Sequence, residues 1–132
     1  MGKGFGVYHF RIFSISLGFS ADSLYVKNYR IMMVQVIVLL EVKDAEAFQL
    51  FERQAVKIMK KYEGELVAAF EPDASESSSS NIAEIHYLQF PSIEAFKKYR
   101  ADPQHLDLSE LRKKAISNTT VFVSGITKDY EH

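Results

Sequence analysis

Residues 34–42 read VQVIVLLEV, a run in which aliphatic side chains, many of them β-branched, fill almost every position. An apolar run of this length predicts a strand in the middle of a sheet, with both of its faces covered. Lys43 and Asp44 end the run, and aspartate is a residue type that caps helix N-termini. The chain is therefore expected to pass from this strand directly into a helix.

That helix is predicted to continue to about Tyr62, because apolar residues recur at steps of three and four. Its opposite, solvent-facing side is expected to carry charged residues that include Glu46 and Glu52. Gly64 then predicts the end of the helix, in a left-handed backbone conformation that suits glycine. The apolar positions are Phe48, Phe51, Ala55, Ile58, Met59 and Tyr62.

Three further strands are predicted after this helix, at residues 65–71, 82–90 and 119–126. The first two flank a serine-rich stretch that has too few apolar residues to be buried, and this stretch is expected to be the loop of a hairpin. The last strand follows a second helical region and ends close to Gly125.

The second helical region begins at Ser92, a capping residue, and breaks at Asp102 before restarting at Pro103. Proline is tolerated at the first position of a helix because its missing N–H has no partner there. The restarted half is expected to carry an apolar stripe that includes Leu111 and Ile116. The resulting order predicts an α+β protein with a ferredoxin-like βαββαβ fold, a four-stranded antiparallel sheet with two helices on one face.

The predicted strands are apolar on both faces. In the first strand, Val36 and Val38 alternate with Ile37 and Leu39, whereas a sheet face that is open to water should alternate with polar residues. Because a large exposed apolar face is unusual in a monomer, we expect a second copy of the chain to cover the helix-free face, giving a homodimer. Alternatively, the chain's own N-terminal 31 residues cover the helix-free face.

The domain is expected to span residues 32–132, with residues 1–31 as an N-terminal extension that is either a leader or an added strand. This extension carries four basic residues and one acidic residue, so the domain itself is acidic. Nucleic-acid binding needs clustered positive charge, and none is expected here. No apolar run approaches the ~20 residues that span a bilayer, so no membrane partner is expected either.

The chain contains no cysteine. This excludes disulfides, thiolate metal sites and cysteine nucleophiles, and it fits a cytoplasmic protein. A metal site could be assembled from Glu84, His86 and His105, a two-histidine, one-carboxylate set. Their separation in the sequence matches no recognised ligand spacing, so neither a metal nor a cofactor is predicted.

Glu84 and His86 are the first candidates for chemistry. They lie two residues apart on a predicted strand and therefore share one face, about 6.8 Å apart. Burying such groups without partners costs roughly 1–3 kcal/mol each. One hypothesis makes His86 a catalytic acid or base, or a ligand contact, that Glu84 orients. The other makes the two a hydrogen-bonded structural pair at the dimer interface.

A second group of polar residues surrounds the break in the second helical region. In the functional interpretation Arg112 binds an acidic or carbonyl-bearing small molecule, and His105, seven residues earlier, lies on the same helical face. In the structural interpretation Asp102 caps the restarted helix, Tyr99 packs against neighbouring side chains, and Arg112 pairs with a carboxylate. The predicted ligand-binding residues are Tyr99, Arg112, His105 and Tyr87.

Several short motifs carry a family resemblance. They are Leu88-Gln-Phe-Pro-Ser92, Ala95, Tyr99, Asp102-Pro103-Gln104-His105, Arg112 and Val121-Phe-Val-Ser-Gly125. From Val34 to Lys128 the chain resembles the dimeric α+β barrel superfamily, and within it a family of stand-alone domains of unknown function that carries the Phe-Pro-Ser motif. The resemblance implies a ferredoxin-like homodimer.

The chain also departs from the family pattern. Members often carry a tryptophan where Lys98 stands and a tyrosine where His105 stands, and this chain has no tryptophan at all. Members of the superfamily include cofactor-independent monooxygenases, haem-handling enzymes and small-molecule isomerases. Because one fold hosts many activities, an enzymatic function is implied only by analogy.

Three functions are left open. The first is a homodimeric small-molecule-binding protein, with a pocket between sheet and helices bordered by Glu84, His86, Tyr99 and Arg112. The second is a cofactor-independent enzyme of the monooxygenase or isomerase type, with His86 as acid or base. The third is a non-catalytic module whose sheet face serves only assembly.

Overall fold

A computed structural model of the chain describes residues 33–126 and 128–131. The predicted extension, residues 1–31, lies outside the described residues. Within them, none of the helices is long and apolar enough to cross a membrane. The elements in chain order are β1 (Val34–Val42), α1 (Ala45–Lys60), β2 (Glu65–Phe70), β3 (Glu84–Phe90), α2 (Ile93–Ala101), α3 (Pro103–Leu106), α4 (Ser109–Ala115) and β4 (Ile116–Val123).

The helices begin where the capping residues predict. The Asp44 side chain accepts a hydrogen bond from the Ala47 N–H at 3.0 Å, which satisfies one of the unpaired donors at the start of α1. Ser92 accepts one from the Ala95 N–H at 3.0 Å at the start of α2. Both predicted caps are confirmed, and each turns the chain from a strand into the helix that follows it.

The strands form one antiparallel sheet in the order β2-β3-β1-β4, with β1 paired on both of its edges. Val38 of β1 lies opposite His86 of β3 on one side and Val121 of β4 on the other. The helices pack on one face of this sheet, where Val36 and Leu40 are almost fully buried. The ferredoxin-like α+β fold is confirmed.

The helix-free face of the sheet remains exposed and carries several large apolar side chains among polar ones. Ile37, Phe70 and Phe122, from three different strands, are 36%, 53% and 57% exposed. Since residues on opposite faces of a strand alternate, the β1 side chains on this face are those between the buried ones. The sheet therefore presents a second apolar surface to whatever lies against it.

The boundary between α4 and β4 differs from the prediction. Ile116, predicted to belong to the apolar stripe of a helix, is the first residue of β4 and has extended backbone angles. No loop intervenes, because the carbonyl of Ala115 accepts hydrogen bonds from the N–H groups of Lys43 and Asp44, at 2.9 and 3.3 Å. The helix end is thereby fixed beside the end of β1, and the strand starts at once.

The end of α1 also differs from the prediction. Glu63, not Gly64, has the left-handed backbone, with a φ of 58°. Gly64 is required for a different reason, because a Cβ there would lie 2.3 Å from Cε2 of the fully buried Phe90 and 2.6 Å from Cγ of Met59. A glycine lets the start of β2 approach the core this closely.

We expect Gly64→Ala to lower the free energy of unfolding by about 1–3 kcal/mol, because the added methyl overpacks a filled core. Gly125→Ala is the matched control, since a Cβ there meets no atom within 4 Å; its effect should stay within about 0.5 kcal/mol. Urea denaturation measures both values. Equal values for the two variants would contradict the close approach at Gly64.

Candidate functional site

A cavity of about 350 Å³ lies between the helix-facing side of the sheet and the helices. Its walls are mainly apolar: Val38, Leu40 and Leu88 come from the sheet, whereas Phe51 and Phe96 come from α1 and α2. The volume is within the range of small-molecule sites, roughly 300–1,000 Å³. Polar side chains from six elements also line this cavity, and they decide which ligands it can hold.

His86 stands on β3 with its side chain on the helix-facing side, where it is 4% exposed and lines the cavity. Its Nε2 lies 2.6 Å from Oε1 of Glu84, and its Nδ1 lies 3.7 Å from Oε1 of Glu52. The Phe48 ring packs beside the imidazole, with the ring centroids 6.2 Å apart. His86 is therefore held between two carboxylates on an apolar background.

Glu52 is a site residue that the sequence prediction missed, because it was assigned to the solvent-facing side of α1. Its side chain is only 22% exposed and lines the cavity. Burial raises the pKa of this carboxyl, with the charges of His86 and Arg112 acting in the opposite direction. The signal was present in the spacing, since Glu52 follows Phe48 by four residues and so lies at the edge of the apolar stripe.

Arg112 reaches the cavity from α4 and donates a hydrogen bond through Nη2 to Oγ1 of Thr119, at 2.7 Å. In the described part of the chain no carboxylate oxygen lies within 4.0 Å of its guanidinium, so the predicted ion pair is not formed there. A guanidinium has five N–H donors in a planar fork. Most of this donor capacity remains for a ligand.

Tyr99 and His105 form the aromatic part of the wall. Their rings meet edge to face with centroids 4.7 Å apart, and the Phe51 ring lies 6.1 Å from that of His105. Burial raises the pKa of Tyr99 well above its usual range, and burial together with the Arg112 charge lowers the pKa of His105. At neutral pH the phenol is therefore protonated and this imidazole is uncharged.

Asp102 does not line the cavity but fixes the position of its helical wall. It caps α3 by accepting a hydrogen bond from the Gln104 N–H at 2.7 Å, as predicted. Its carboxylate also accepts from the Tyr62 hydroxyl at 2.5 Å and lies 2.7 Å from Lys61 Nζ, both beyond the end of α1. These contacts tie the α2–α3 break, and with it His105, to α1.

The structure places the predicted site residues in two locations. His86, Tyr99, His105 and Arg112 line one cavity, and Glu84 stands behind His86 without lining it. Tyr87 lies on the helix-free face, so it has no part in this cavity. There its hydroxyl donates to Gln35, and Gln89 donates to both of these side chains.

Within residues 33–126 and 128–131, no group of three or more histidine, cysteine, aspartate or glutamate side chains is arranged to hold a metal ion. The three-residue set considered from the sequence is therefore not a metal-binding cluster in this arrangement. The polar groups of the cavity instead comprise acids, bases and donors suited to an organic ligand.

The fold and the cavity define a class of small ferredoxin-like proteins with a pocket between sheet and helices. The family described as "Domain of unknown function (DUF1330)" matches residues 34–126, and the chain belongs to this family. No curated protein matches the chain. The resemblance predicted from the sequence motifs is thus confirmed at the level of family and fold.

Solved structures share this fold at low sequence identity. A protein of unknown function from Rhodopseudomonas palustris is 15% identical, with a TM-score of 0.65 over 87% of this chain and 98% of that chain. A dabb family protein with a ferredoxin-like fold from Mesorhizobium loti is 15% identical, with a TM-score of 0.54 over 73% and 98%. SnoaB, a cofactor-independent oxygenase from Streptomyces nogalater, is 10% identical, with a TM-score of 0.55 over 76% and 98%.

We expect Asp102→Asn to lower the melting temperature at neutral pH, because asparagine keeps the cap but loses the charge that Lys61 and Tyr62 stabilise. Hydrogen bonds from these two side chains hold the pKa of Asp102 well below its usual range. Its stabilisation is therefore complete above the unfolded-state pKa, about 3.9, and is lost as the pH falls toward the folded-state value.

The difference in melting temperature between the wild type and Asp102→Asn should therefore narrow as the pH falls below about 4. Calorimetry at several pH values measures it. Asp107→Asn, which changes an exposed aspartate just beyond α3, is the matched control and should have little effect at any pH. A difference for Asp102→Asn that does not change with pH would contradict the role of its charge.

Proposed function

We propose that the protein is a homodimer in which each copy binds a small organic molecule between its sheet and its helices. The observation that carries this proposal is the cavity of about 350 Å³, whose apolar walls surround a few convergent polar groups. Pockets of this composition bind ligands by burying an apolar body and orienting it with a small number of hydrogen bonds.

Arg112 is the group in this cavity best suited to determine which ligand binds. Thr119 holds it in place through one hydrogen bond, and no carboxylate oxygen of the described residues lies within 4.0 Å of its guanidinium. Guanidinium groups bind carboxylates and similar planar anions through two parallel hydrogen bonds. We infer that the ligand is an apolar molecule with one anionic or carbonyl end, and that Tyr99 and His105 pack against its apolar part.

A pair of probes tests this inference. Naphthoate and its neutral isostere naphthamide share an apolar body, and their binding can be followed by NMR shifts of the backbone amides around the cavity. We expect Arg112→Gln to weaken naphthoate binding by about tenfold or more, the worth of a charged hydrogen bond. Binding of naphthamide should change much less.

Lys114→Gln is the control for this experiment. It removes one positive charge from the same helix, at an exposed position that does not line the cavity. If Lys114→Gln weakened naphthoate binding as much as Arg112→Gln does, long-range charge would explain the effect. If neither probe shifted the amides around the cavity, the pocket proposal would be wrong.

The helix-free face supports the dimer. Its exposed apolar residues, among them Ile37 and Phe122, lie on adjacent strands, opposite each other in the β1–β4 register. An apolar surface of this kind is seldom left open in a soluble monomer, and two-fold homodimers are the commonest oligomers. The ferredoxin-like dabb family protein shares the fold. We assign this face to a second copy of the chain.

Phe122→Asp should convert the dimer to a monomer, because it places a charge in the middle of the buried interface. The dissociation constant should rise by a factor on the order of 30 or more, as for other central aromatic residues. Leu50→Asp is the control, since Leu50 is 43% exposed on α1, in the helical layer. Sedimentation velocity that shows a monomer for the wild type would contradict the proposal.

A cofactor-independent enzyme is the second candidate function. The observation that favours it is the imidazole of His86 between the carboxylates of Glu84 and Glu52, an arrangement that can exchange protons. SnoaB, with which the chain shares its fold, is described as a cofactor-independent oxygenase. A module that serves assembly alone would keep the dimer and bind neither probe.

A further inference from the structure

We propose that Glu52 is the group that exchanges a proton with a molecule bound in the cavity, and that His86 and Glu84 relay this proton away from it. The inference rests on the proposed function, since it requires the cavity to take a ligand. In this arrangement Glu52 on α1 contacts the ligand, and the two residues of β3 are positioning and relay groups.

The geometry of His86 directs attention to Glu52. Both ring nitrogens already face carboxylate oxygens: Nε2 lies 2.6 Å from Glu84, and Nδ1 lies 3.7 Å from Glu52. An imidazole uses one nitrogen as donor and the other as acceptor, or both as donors when charged. His86 therefore has no nitrogen free for a ligand unless one of these contacts is given up.

Glu52 is placed to meet the ligand. It lines the cavity, and the oxygen that faces His86 is Oε1. Its second oxygen, Oε2, makes no hydrogen bond to any of the described residues. A carboxyl group presents its two oxygens in different directions, so one can contact His86 while the other meets a ligand.

Glu84 forms the other end of the relay. It is the first residue of β3, its side chain is 27% exposed, and it does not line the cavity. A proton that arrives there can pass to solvent without crossing the ligand site. The row Glu52, His86, Glu84 therefore connects the cavity with water through one buried imidazole.

Titratable or charged groups on three elements surround Glu52. His86 and Glu84 face it from β3, Arg112 from α4 and Tyr99 from α2. Burial raises the pKa of the Glu52 carboxyl, the Glu84 charge raises it further, and His86 and Arg112 lower it. A carboxyl whose pKa is moved toward neutrality is a better proton acceptor and donor at the working pH than an ordinary glutamate.

The relay moves one proton from the bound molecule to water through Glu52, His86 and Glu84. A C–H or O–H acid in the cavity gives its proton to the Glu52 carboxylate, leaving an anion beside Arg112. Protonated Glu52 then gives a proton to Nδ1 of His86, while Nε2 releases its own proton to the Glu84 carboxylate. Glu52 is again a carboxylate, Glu84 loses the proton to water, and His86, which now carries its proton on Nδ1, regains its starting tautomer by proton exchange with water.

Nitrobenzisoxazole is a suitable probe, because a base that removes its C–H proton breaks the N–O bond and releases a coloured cyanonitrophenolate. We expect the wild type to accelerate this elimination over acetate in solution, and Glu52→Gln to reduce the acceleration on the order of 10²-fold. Glu46→Gln, which changes an exposed glutamate of the same helix, should keep the wild-type rate.

The pH profile separates a relay from a merely structural role. The rate should rise with pH as Glu52 ionises. Glu84→Gln should move the midpoint to lower pH, because it removes a negative neighbour, and His86→Gln should move it to higher pH, because it removes a group that lowers the pKa of Glu52. Unchanged midpoints in both variants would overturn the relay, and a full rate in Glu52→Gln would overturn the role of Glu52.

Binding is measured separately, from NMR shifts of the amides around the cavity on addition of nitrobenzisoxazole. If these shifts occur but the wild type converts the probe no faster than Glu52→Gln does, the proton-exchange role is wrong and the pocket proposal stands. If the probe leaves the amides unshifted, the pocket proposal is contradicted and this inference falls with it.

Discussion

The pairing of an apolar strand on both of its edges is the interaction on which the structure depends. β1 joins β3 and β4 and thereby makes the sheet continuous. Its alternate side chains point to opposite faces, so Val36 is buried beneath the helices while Ile37 stands on the other side. If either face of a strand of this composition were open to water, apolar side chains would be exposed. The helices cover one face of the sheet, and in the homodimer that we propose a second copy of the chain covers the other.

Polar groups interrupt the same apolar layer on the helix side, where the cavity lies. His86 occupies a position on β3 directly across from Val38, where an aliphatic residue would close the core. A hydrogen bond with Glu84 and the nearby carboxylate of Glu52 give the imidazole polar partners, so that its burial is tolerated. Asp102 meanwhile ties the wall that carries His105 to α1. The helices that bury one face of the sheet thus also hold the residues of the cavity in place.

The order of elements, the helix caps and the two-sided sheet follow from local signals in the sequence, and the structure confirms the fold they predict. Two details required tertiary information. Glu52 was assigned to the charged side of its helix because a glutamate at the edge of an apolar stripe fits either environment. Ile116 starts β4 because the ends of β1 and α4 meet, which no local pattern shows. The placement of Tyr87, by contrast, could have been predicted, because strand alternation puts it on the opposite face of the sheet from its sequence neighbour His86.

The most direct test of this account asks what touches the helix-free face in solution. Isotope-labelled and unlabelled chains can be mixed, and filtered NOE spectra then report only contacts between copies. For the proposed homodimer we expect intermolecular contacts between the Ile37 methyl groups of one copy and aromatic rings of the other, such as Phe122. Absence of these contacts from the filtered spectra, with Ile37 contacting only residues 1–31 of its own chain or water in the unfiltered spectra, would contradict the proposed homodimer.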